Sequence, residues 1–366
     1  STDANGNVIL AGDHGGSNSF FLLKRNSVGN EVWTKSINGS NLHCYGVTTD
    51  VNNNMFITGS FTSTLVLGNT TLNAGASNND IFTAKYDSNG TVIWAKRAGG
   101  TGTDRGWAIN VSTRGNIFVT GNFASSTMVV GNSSLTNTGS ENIFVIKYDS
   151  VGNVIWAKNG LGSSDAEGNS IRTDINENVF VSGWYGGVIT FGNTTLTSGA
   201  NGANIFIVKY NASGAVVWVK GAGGSDYNNI DVDTNDNLYI TGSFNSPTVA
   251  FGSTTLNNSG TWNVYVAKLS SINTEVEETN SSYSKIGITP NPFTKPQDAA
   301  NPASDTPHPF LPWPIRNASS PNAAAPTAAR PTPSRRPSSP RTRPMAVRFA
   351  RTASTRRTGC TAAARC

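Results

Sequence analysis

The chain has 366 residues, with 27 Lys and Arg against 22 Asp and Glu, a formal net charge of +5. The charge is uneven: residues 1–295 carry −4, whereas residues 296–366, with 11 Arg and two acids, carry +9. The basic balance therefore belongs to the tail and says nothing about the partners of the rest of the chain. No apolar run reaches the roughly 18 residues that span a bilayer. Cys44 is the only cysteine before the tail, so no disulfide framework is expected.

A hairpin pattern recurs along the first part of the chain. Its clearest copy is 142–158, where two runs of β-branched and aromatic residues flank an Asp-Ser-Val-Gly-Asn turn. Further copies lie at 80–96 and 204–220, with a looser one at 20–35. Their second strands carry Trp33, Trp94, Trp156 and Trp218, spaced by 61, 62 and 62 residues. A large residue kept at one phase of a long period indicates stacked repeats.

Each repeat contains four strand-like runs, which we name a, b, c and d. In one repeat they are 106–111, 116–121, 143–148 and 154–158. The glycine ending strand b and the lysine of strand c recur five times, as Gly12, Gly59, Gly121, Gly183, Gly242 and Lys24, Lys85, Lys147, Lys209, Lys268. The chain begins just before the first strand b and shows no clear strand d after the last strand c. Five partial-to-complete repeats are therefore predicted.

Four-stranded antiparallel units at a period of about 62 residues are typical of a β-propeller, in which each unit is one blade. The predicted fold class is all-β, a β-propeller of four-stranded antiparallel blades over residues 1–271. A solenoid is the competing architecture, although its repeats are usually shorter and lack a four-stranded meander. Five repeats could close a five-bladed ring. The absent first strand a and last strand d favour instead a fragment from which N-terminal blades are missing.

Four of the five repeats carry an insertion between strands b and c. Each insertion is an apolar run, a Gly-Asn or Gly-Ser pair, then Thr or Ser and Leu, which predicts an extra hairpin. The insertions lie at 65–72, 128–135, 188–196 and 249–256. They share one end of the meander with the glycine-rich d–a connections, and we expect any ligand at that end. The a–b and c–d turns at the other end are short, and their Asp, Asn and Gly indicate local turn chemistry.

The d–a connections supply the first ligand-binding candidates. Asp104, Asp165 and Asp226 recur near the start of each innermost strand. A ring of such carboxylates could hold a cation or sugar hydroxyls. In the alternative interpretation, each aspartate accepts backbone N–H bonds and fixes its own loop.

Aromatic residues that break the repeat pattern supply the second candidates. Trp107, Trp184 and Trp262 have no counterparts in the other repeats, and the pair at 184–185 is expected on the ligand end. Aromatic platforms of this kind suit stacking against sugars. The full set of predicted ligand-binding residues is Asp104, Arg105, Trp107, Asp165, Trp184, Tyr185, Asp226 and Tyr227.

No catalytic, metal or cofactor site is predicted. His43 lies beside Cys44, but adjacent strand residues point to opposite sides and make a poor dyad. Paired carboxylates of the glycosidase kind cannot be singled out, because every acid has a repeat-level explanation. The run 231–237 follows the spacing of a calcium loop but lacks its glycine and distal glutamate. No glycine run is followed by the Gly-Lys-Ser/Thr of a phosphate-binding loop.

The repeats also resemble a known family. The pattern Asp-x-x-Gly-Asn-x-Phe-Val-x-Gly, then Asn-Ile-Phe-x-x-Lys-Tyr-Asp-x-x-Gly, then Trp-Ala-Lys-x-x-Gly-Gly-x-x-x-Asp is similar to the bacterial SBBP-type β-propeller repeat. The resemblance covers roughly residues 1–270 and recurs in most repeats. It implies a propeller in a secreted or cell-surface bacterial protein and implies no particular activity.

The C-terminal part differs in character. Residues 272–295 contain a polar linker followed by a run at 285–294 that resembles the opening of the sorting domain of type IX secreted proteins. Residues 296–366 form a Pro, Ala and Arg-rich tail whose composition predicts disorder. The abrupt change favours a frameshifted sorting domain. The alternative is a genuine basic tail that binds nucleic acid or anionic lipid.

The sequence as a whole predicts a non-catalytic propeller that is secreted or on the cell surface and serves as a binding, adhesion or structural module. Its expected ligand is an extracellular glycan or protein, and its motif at 285–294 implies the secretion machinery as a partner. Nucleic-acid binding and a membrane span are not expected. The alternative is a propeller-fold hydrolase acting on polysaccharide, which should show a non-repeating cluster of acids or histidines on one face.

Overall fold

The structure is a computed structural model that describes residues 1–15, 18–75, 78–199, 203–223, 225–252, 254–258, 260, 262–269 and 276–277. For 225–227 and 276–277 only the backbone is described. These residues belong to the first of two compact parts, Ser1–Ile288. The second part, Thr289–Cys366, lies outside the described residues. The sorting-domain-like motif at 285–294 and the tail therefore stay predictions.

The described residues form β-strands and no helix. Repeat 1 contains β1 (Val8–Asp13), β2 (Ser19–Arg25) and β3 (Glu31–Asn38), and repeat 2 contains β4 (Ser40–Thr49), β5 (Met55–Thr62), β6 (Thr64–Leu67), β7 (Thr70–Asn73), β8 (Asp80–Tyr86) and β9 (Val92–Gly99). Repeat 3 contains β10 (Asp104–Val111), β11 (Ile117–Phe123), β12 (Thr127–Val130), β13 (Ser133–Thr136), β14 (Asn142–Tyr148) and β15 (Val154–Asn159), followed by the short β16 (Leu161–Gly162). Repeat 4 contains β17 (Ala166–Thr173), β18 (Val179–Tyr185), β19 (Val188–Phe191), β20 (Thr194–Thr197), β21 (Asn204–Tyr210) and β22 (Val216–Gly223). Repeat 5 contains β23 (Ser225–Val232), β24 (Leu238–Phe244), β25 (Thr248–Phe251), β26 (Thr254–Asn257), β27 (Asn263–Leu269) and β28 (Val276–Glu277).

Repeats 2 to 5 each contain the antiparallel meander a-b-c-d. In repeats 3, 4 and 5 the strand orders are β10-β11-β14-β15, β17-β18-β21-β22 and β23-β24-β27-β28. Repeat 1 contributes β1-β2-β3, which correspond to b, c and d. The prediction of an all-β fold built from repeated antiparallel units is confirmed. Its closure into a propeller stays a prediction.

The last repeat does contain a strand d, which the sequence did not indicate. β28 pairs with β27 so that Glu277 lies opposite Lys268. In repeat 3 the corresponding partner of Lys147 is Trp156. The strand was missed because it is two residues long and an acid occupies the register position of the tryptophan marker.

The core lies between consecutive sheets. For example, Phe118, Ile143 and Val145 of repeat 3 pack against Val179 and Val181 of repeat 4 in one buried cluster. Strands b and c of the inner repeats therefore bury both faces, so β11 and β14 are buried along their full length. Burial on both faces explains why these strands are continuous apolar runs without polar alternation.

The insertions between strands b and c form the predicted two-stranded hairpins, β6–β7, β12–β13, β19–β20 and β25–β26. They also reach back to the preceding repeat, since Val130 of β12 pairs with Ala98 of β9. Their apolar side chains, such as Met128 and Leu135, are buried in the core between the two repeats. The hairpins therefore contribute to the packing of neighbouring repeats.

A recurring pair of hydrogen bonds also joins consecutive repeats. Lys147 Nζ and Trp156 Nε1 of repeat 3 both donate to the carbonyl oxygen of Ala212 in the c–d turn of repeat 4, at 3.2 and 3.1 Å. The same pair recurs between repeats 1 and 2, and between repeats 2 and 3, as Lys24 and Trp33 to Ser88 and as Lys85 and Trp94 to Ser150. We call this arrangement the inter-repeat clamp. The recurrent lysine and tryptophan therefore serve to pack consecutive repeats against each other.

The turn that receives each clamp requires a glycine. Gly152 has a φ of +87°, which favours residues without a Cβ. A Cβ at this position would also lie 3.1 Å from the ring of Trp94. The glycine in Asp-Ser-Val-Gly-Asn therefore closes the turn and lets the indole of the previous repeat lie against it.

The interface between repeats 3 and 4 contains a compensating ion pair. In repeat 1 the strand-c lysine, Lys24, pairs with Asp3 of its own a–b turn at 2.9 Å. Repeat 3 has Ser112 at the position of Asp3, and its Lys147 pairs instead with Glu177 of repeat 4 at 3.1 Å. Glu177 is buried and also accepts hydrogen bonds from Ser112 Oγ and Asn116 Nδ2 at 2.5 and 2.7 Å.

The backbone of Glu177 has an unfavourable conformation at the position from which its side chain reaches these partners. Its φ is +62°, whereas the corresponding residues of repeats 1 and 3 are Gly6 and Gly115. A non-glycine residue in the left-handed region costs about 1 kcal/mol or more. The buried bonds to Lys147 and its neighbours offset that cost.

We expect Trp156→Ala to lower the free energy of unfolding by about 3–5 kcal/mol, because it removes a buried ring and one donor of the clamp. Trp262→Ala is the matched control, since Trp262 is half-exposed, and it should cost less than about 1 kcal/mol. Urea denaturation measures both. Equal losses for the two variants would contradict the packing role of the recurrent tryptophan.

We expect Glu177→Gly to destabilise the protein by about 2–4 kcal/mol, because relief of the backbone strain does not offset an unpaired buried Lys147. Adding Ser112→Asp to this variant should restore most of the loss, since it recreates the aspartate that pairs with Lys24 in repeat 1. Denaturation of the single and double variants tests the compensation. A double variant no more stable than Glu177→Gly would refute it.

Candidate functional site

The innermost strands of repeats 2, 3 and 4 are interrupted by an irregularity at the same place, and that of repeat 5 by one slightly earlier. The pairing with strand b shifts between Cys44 and Gly46 in β4, between Gly106 and Ala108 in β10, and between Gly168 and Ser170 in β17. In β23 the shift spans 225–228. A β-bulge of this kind leaves one residue unpaired and re-aims its side chain. The bulged residues of the first three strands are Tyr45, Trp107 and Asn169.

The glycine that ends each strand b makes room for the bulge. A Cβ at Gly121 would overlap the carbonyl oxygen of Arg105, and a Cβ at Gly183 would overlap that of Glu167. The same close approach joins Gly59 to His43. The recurrence of this glycine is therefore a consequence of the bulge in the neighbouring strand a.

The re-aimed side chains line one cleft of about 780 Å³. The cleft runs across the innermost strands of repeats 2 to 5 and is completed by strands b and c of repeat 5. It is lined by Tyr45, Trp107, Glu167, Asn169, Asn228, Asn229, Thr241, Gly242, Ser243 and Val264. The bulged residues among them lie near the middle of their strands, Tyr45 in β4, Trp107 in β10 and Asn169 in β17, and not in the d–a connections where we expected a ligand.

One wall of the cleft is aromatic. The rings of Tyr45 and Trp107 lie 4.2 Å apart between centroids and are tilted by 42°. Trp107 is fixed by a hydrogen bond from its Nε1 to Asn122 Oδ1 at 2.7 Å. The ring of His43 stacks on Tyr45 at 5.6 Å, and its Nδ1 lies 2.6 Å from Asp13 Oδ2. These contacts with neighbouring side chains therefore fix the positions of the two rings.

The facing wall is polar. Asn169 Nδ2 donates to Glu167 Oε1 at 2.6 Å, and Asn228 Nδ2 donates to the carbonyl oxygen of Gly183 at 3.0 Å. Burial, together with the negative charge of nearby Glu141, raises the pKa of Glu167 to about 7. Glu167 is the single charged residue among those that line the cleft in the described part of the chain.

A second polar group lies beside the cleft without lining it. Arg105 Nη1 is 3.9 Å from Glu141 Oε1, and Asn122 Nδ2 donates to the other oxygen of Glu141. Burial raises the pKa of Glu141, while the charge of Arg105 lowers it. Since Asn122 also holds Trp107, this group connects the aromatic wall to the charged residues.

The predicted aspartates behave differently from one another. Asp104 is fully buried and accepts hydrogen bonds from Gly100 N, Ser125 N and Ser125 Oγ at 2.9, 3.1 and 2.7 Å. It therefore fixes its own loop, as the alternative interpretation expected. Asp165 is partly buried and forms a parallel bridge with Glu141, and it does not line the cleft.

Of the remaining predicted residues, the structure brings only Trp107 into the cleft. Tyr185 is buried in the core against Phe206, so its ring offers no surface for stacking against a ligand. It differs in this from Trp184 because neighbouring residues of a strand point to opposite faces of the sheet. Trp184 is partly buried and does not line the cleft. Asp226 and Tyr227 lie in the irregular stretch of β23, and their side chains lie outside the described residues.

The structure also describes the two other motifs that the sequence analysis considered, the pair at 43–44 and the run 231–237. Cys44 is buried in the core, whereas His43 pairs with Asp13, so the two do not form a dyad. In the run 231–237, Asp233 accepts bonds from the backbone N–H groups of residues 235 and 237, as expected of an ordinary turn. No cluster of His, Cys, Asp and Glu suited to a metal ion occurs among the described residues.

No family model and no curated protein matches the chain. Within the described residues, no helix is long and apolar enough to cross a membrane.

Sequence reasoning missed most of the cleft residues. Tyr45, Asn169 and Asn228 attracted no attention because neither asparagine nor tyrosine is unusual in a β-rich chain. The signal that could have found them is a position that varies between repeats: the residue 14 places before the glycine of strand b is Tyr, Trp, Asn and Asn in repeats 2 to 5.

We expect the stability difference between Glu167→Gln and the parent protein to depend on pH. The pKa of Glu167 rises from 4.5 to about 7 on folding. The folded protein therefore keeps a proton that the unfolded chain releases, and stability is lost as pH rises through this window. Relative to the parent, the variant should gain stability up to about pH 7 and no further.

Urea denaturation at about pH 4, 5.5, 7 and 8 measures that difference. A difference that stays constant with pH would contradict the burial of this carboxyl group.

Proposed function

We propose that residues 1–271 are a β-propeller and that the protein is a non-catalytic glycan-binding module, secreted or on the bacterial cell surface. The propeller is supported by the repeated a-b-c-d meander and by the contacts between successive innermost strands β4, β10, β17 and β23. Location outside the cell and passage through the type IX secretion machinery are supported by the resemblance of the repeats and of 285–294.

The outer face of repeat 5 is largely exposed in the described part of the chain. Ile143 and Val145 on strand c of repeat 3 are fully buried by the next sheet, whereas their counterparts Val264 and Val266 are 56% and 55% exposed. In a closed propeller such a face is covered by a further sheet. The number of blades stays open between five and a larger ring.

The observation that supports a binding function is that one cleft brings together residues that differ from repeat to repeat. Tyr45 and Trp107 present aromatic faces, and Glu167, Asn169 and Asn228 present polar groups across from them. Sugars combine apolar ring faces with hydroxyl edges, and they bind between aromatic and polar side chains. The cleft volume of about 780 Å³ suits a short oligosaccharide.

A polysaccharide hydrolase is the second candidate, because Glu141 and Glu167 are a non-repeating pair of carboxyl groups. A glycosidase needs two carboxyl groups flanking the bond that is cleaved. Glu141 pairs with Arg105 and does not line the cleft, so only Glu167 faces the proposed ligand. This arrangement favours binding. Release of reducing ends from an oligosaccharide by the parent protein would favour hydrolysis instead.

We expect Trp107→Ala to weaken binding to soluble oligosaccharides by at least about tenfold, because a buried aromatic contact is typical of binding hot spots. Trp184→Ala should change the affinity little, since Trp184 does not line the cleft. A glycan array identifies a ligand, and calorimetric titration compares the variants. Loss of binding in Trp184→Ala but not in Trp107→Ala would move the site to strand b of repeat 4.

A further inference from the structure

The hydrogen-bond donors along the polar wall are largely used by the protein itself. Asn169 Nδ2 donates to Glu167, and Asn228 Nδ2 donates to Gly183. Thr241 Oγ1 donates to the carbonyl oxygen of Tyr265 at 3.0 Å. On the aromatic wall, the Nε1 of Trp107 is likewise committed to Asn122.

Two acceptors of the same wall are unused. Asn169 Oδ1 and Asn228 Oδ1 are buried and accept no hydrogen bond from any described residue. Asn228 is only 6% exposed, so its oxygen is a buried polar atom that faces an unmet desolvation penalty. Glu167 adds a carboxylate with no cation among the cleft-lining residues. Buried acceptors without partners are uncommon in folded proteins and point to a missing donor.

A ligand that satisfies this wall must supply several donors and, preferably, positive charge. A sugar hydroxyl donates one hydrogen bond, whereas a primary ammonium group donates three and is attracted to a carboxylate. The aromatic wall adds to this preference, since a cation held near Trp and Tyr rings gains cation–π attraction. An acetamido group, by contrast, donates one bond and carries no charge.

Building on the proposed glycan-binding function, we infer that the cleft selects amino sugars with a free amine, which places its ammonium against the carboxylate of Glu167, beside Asn169 and Asn228. The raised pKa of Glu167 agrees with this assignment, because burial outweighs the opposing charge of Arg105 and keeps the proton on the carboxyl group near neutral pH, whereas an ammonium group beside it favours loss of that proton.

The test uses three β-1,4-linked tetrasaccharides that differ only in the group at carbon 2 of each ring: an amine, an acetamide or a hydroxyl. They are the tetramers of glucosamine, N-acetylglucosamine and glucose. Each is titrated into the full chain at neutral pH by calorimetry. Glu167→Gln removes the charge at nearly constant size, and Glu31→Gln, on an exposed position of β3, is the matched control. Circular dichroism verifies that both variants are folded.

We expect the glucosamine tetramer to bind the parent at least about tenfold more tightly than the other two, as befits a charged hydrogen bond. Glu167→Gln should lose that preference, so that it binds the glucosamine tetramer no more tightly than the glucose tetramer, whereas Glu31→Gln should behave as the parent does.

Equal binding of all three tetramers, or a preference that survives in Glu167→Gln, would overturn the amine inference and leave the glycan-binding function standing. Binding of none of them would count against both. These outcomes separate a failure of the inference from a failure of the proposed function.

Discussion

The inter-repeat clamp is the interaction on which the arrangement of the sheets depends. In three successive interfaces, a lysine and a tryptophan of one repeat converge on a single carbonyl oxygen in the turn of the next. Each indole lies against the turn glycine, and two of the three lysines lie over a buried aromatic ring of their own repeat, Lys85 over Phe56 and Lys147 over Phe118, both at 5.2 Å. Adjacent sheets are thereby held in one register, and the apolar core between them follows.

The orientation of the sheets brings the innermost strands together, and the β-bulges decide what those strands present. Each bulge is possible because strand b has a glycine where the carbonyl oxygen of strand a comes close. The bulge frees one residue from the ladder, and its identity no longer affects pairing. Different residues, Tyr45, Trp107 and Asn169, can therefore occupy this position with little effect on the stability of the fold. The scaffold therefore repeats while the cleft does not.

Glu177 shows how the repeats tolerate divergence. Repeat 3 has a serine where repeats 1, 2 and 4 have an aspartate in the a–b turn. The strand-c lysine would lose its partner, yet a glutamate from the next repeat occupies the vacated position and accepts three hydrogen bonds. When the acidic partner of a buried lysine comes from the next repeat in this way, the stability of one repeat depends on its neighbour.

The fold could be predicted from the sequence because its determinants recur. Trp156, Lys147 and Gly121 mark strand positions four or five times over, so strand types, turns and hairpins follow from spacing. The cleft could not be predicted in the same way. Whether Asp104 faces its loop or the cleft depends on a hydrogen bond to Ser125, which is 21 residues away. The burial of Tyr185 depends on the phase of β18 against the next strand.

We propose that the recurrent residues hold the repeats together, whereas the unlike bulge residues bind the ligand. A crystal structure of the protein soaked with the glucosamine tetramer tests this division most directly. We expect sugar rings against Tyr45 and Trp107, with an amine nitrogen within hydrogen-bonding distance of Glu167. Sugar bound instead at Trp184 or at the hairpins, or a cleft left without sugar, would contradict it.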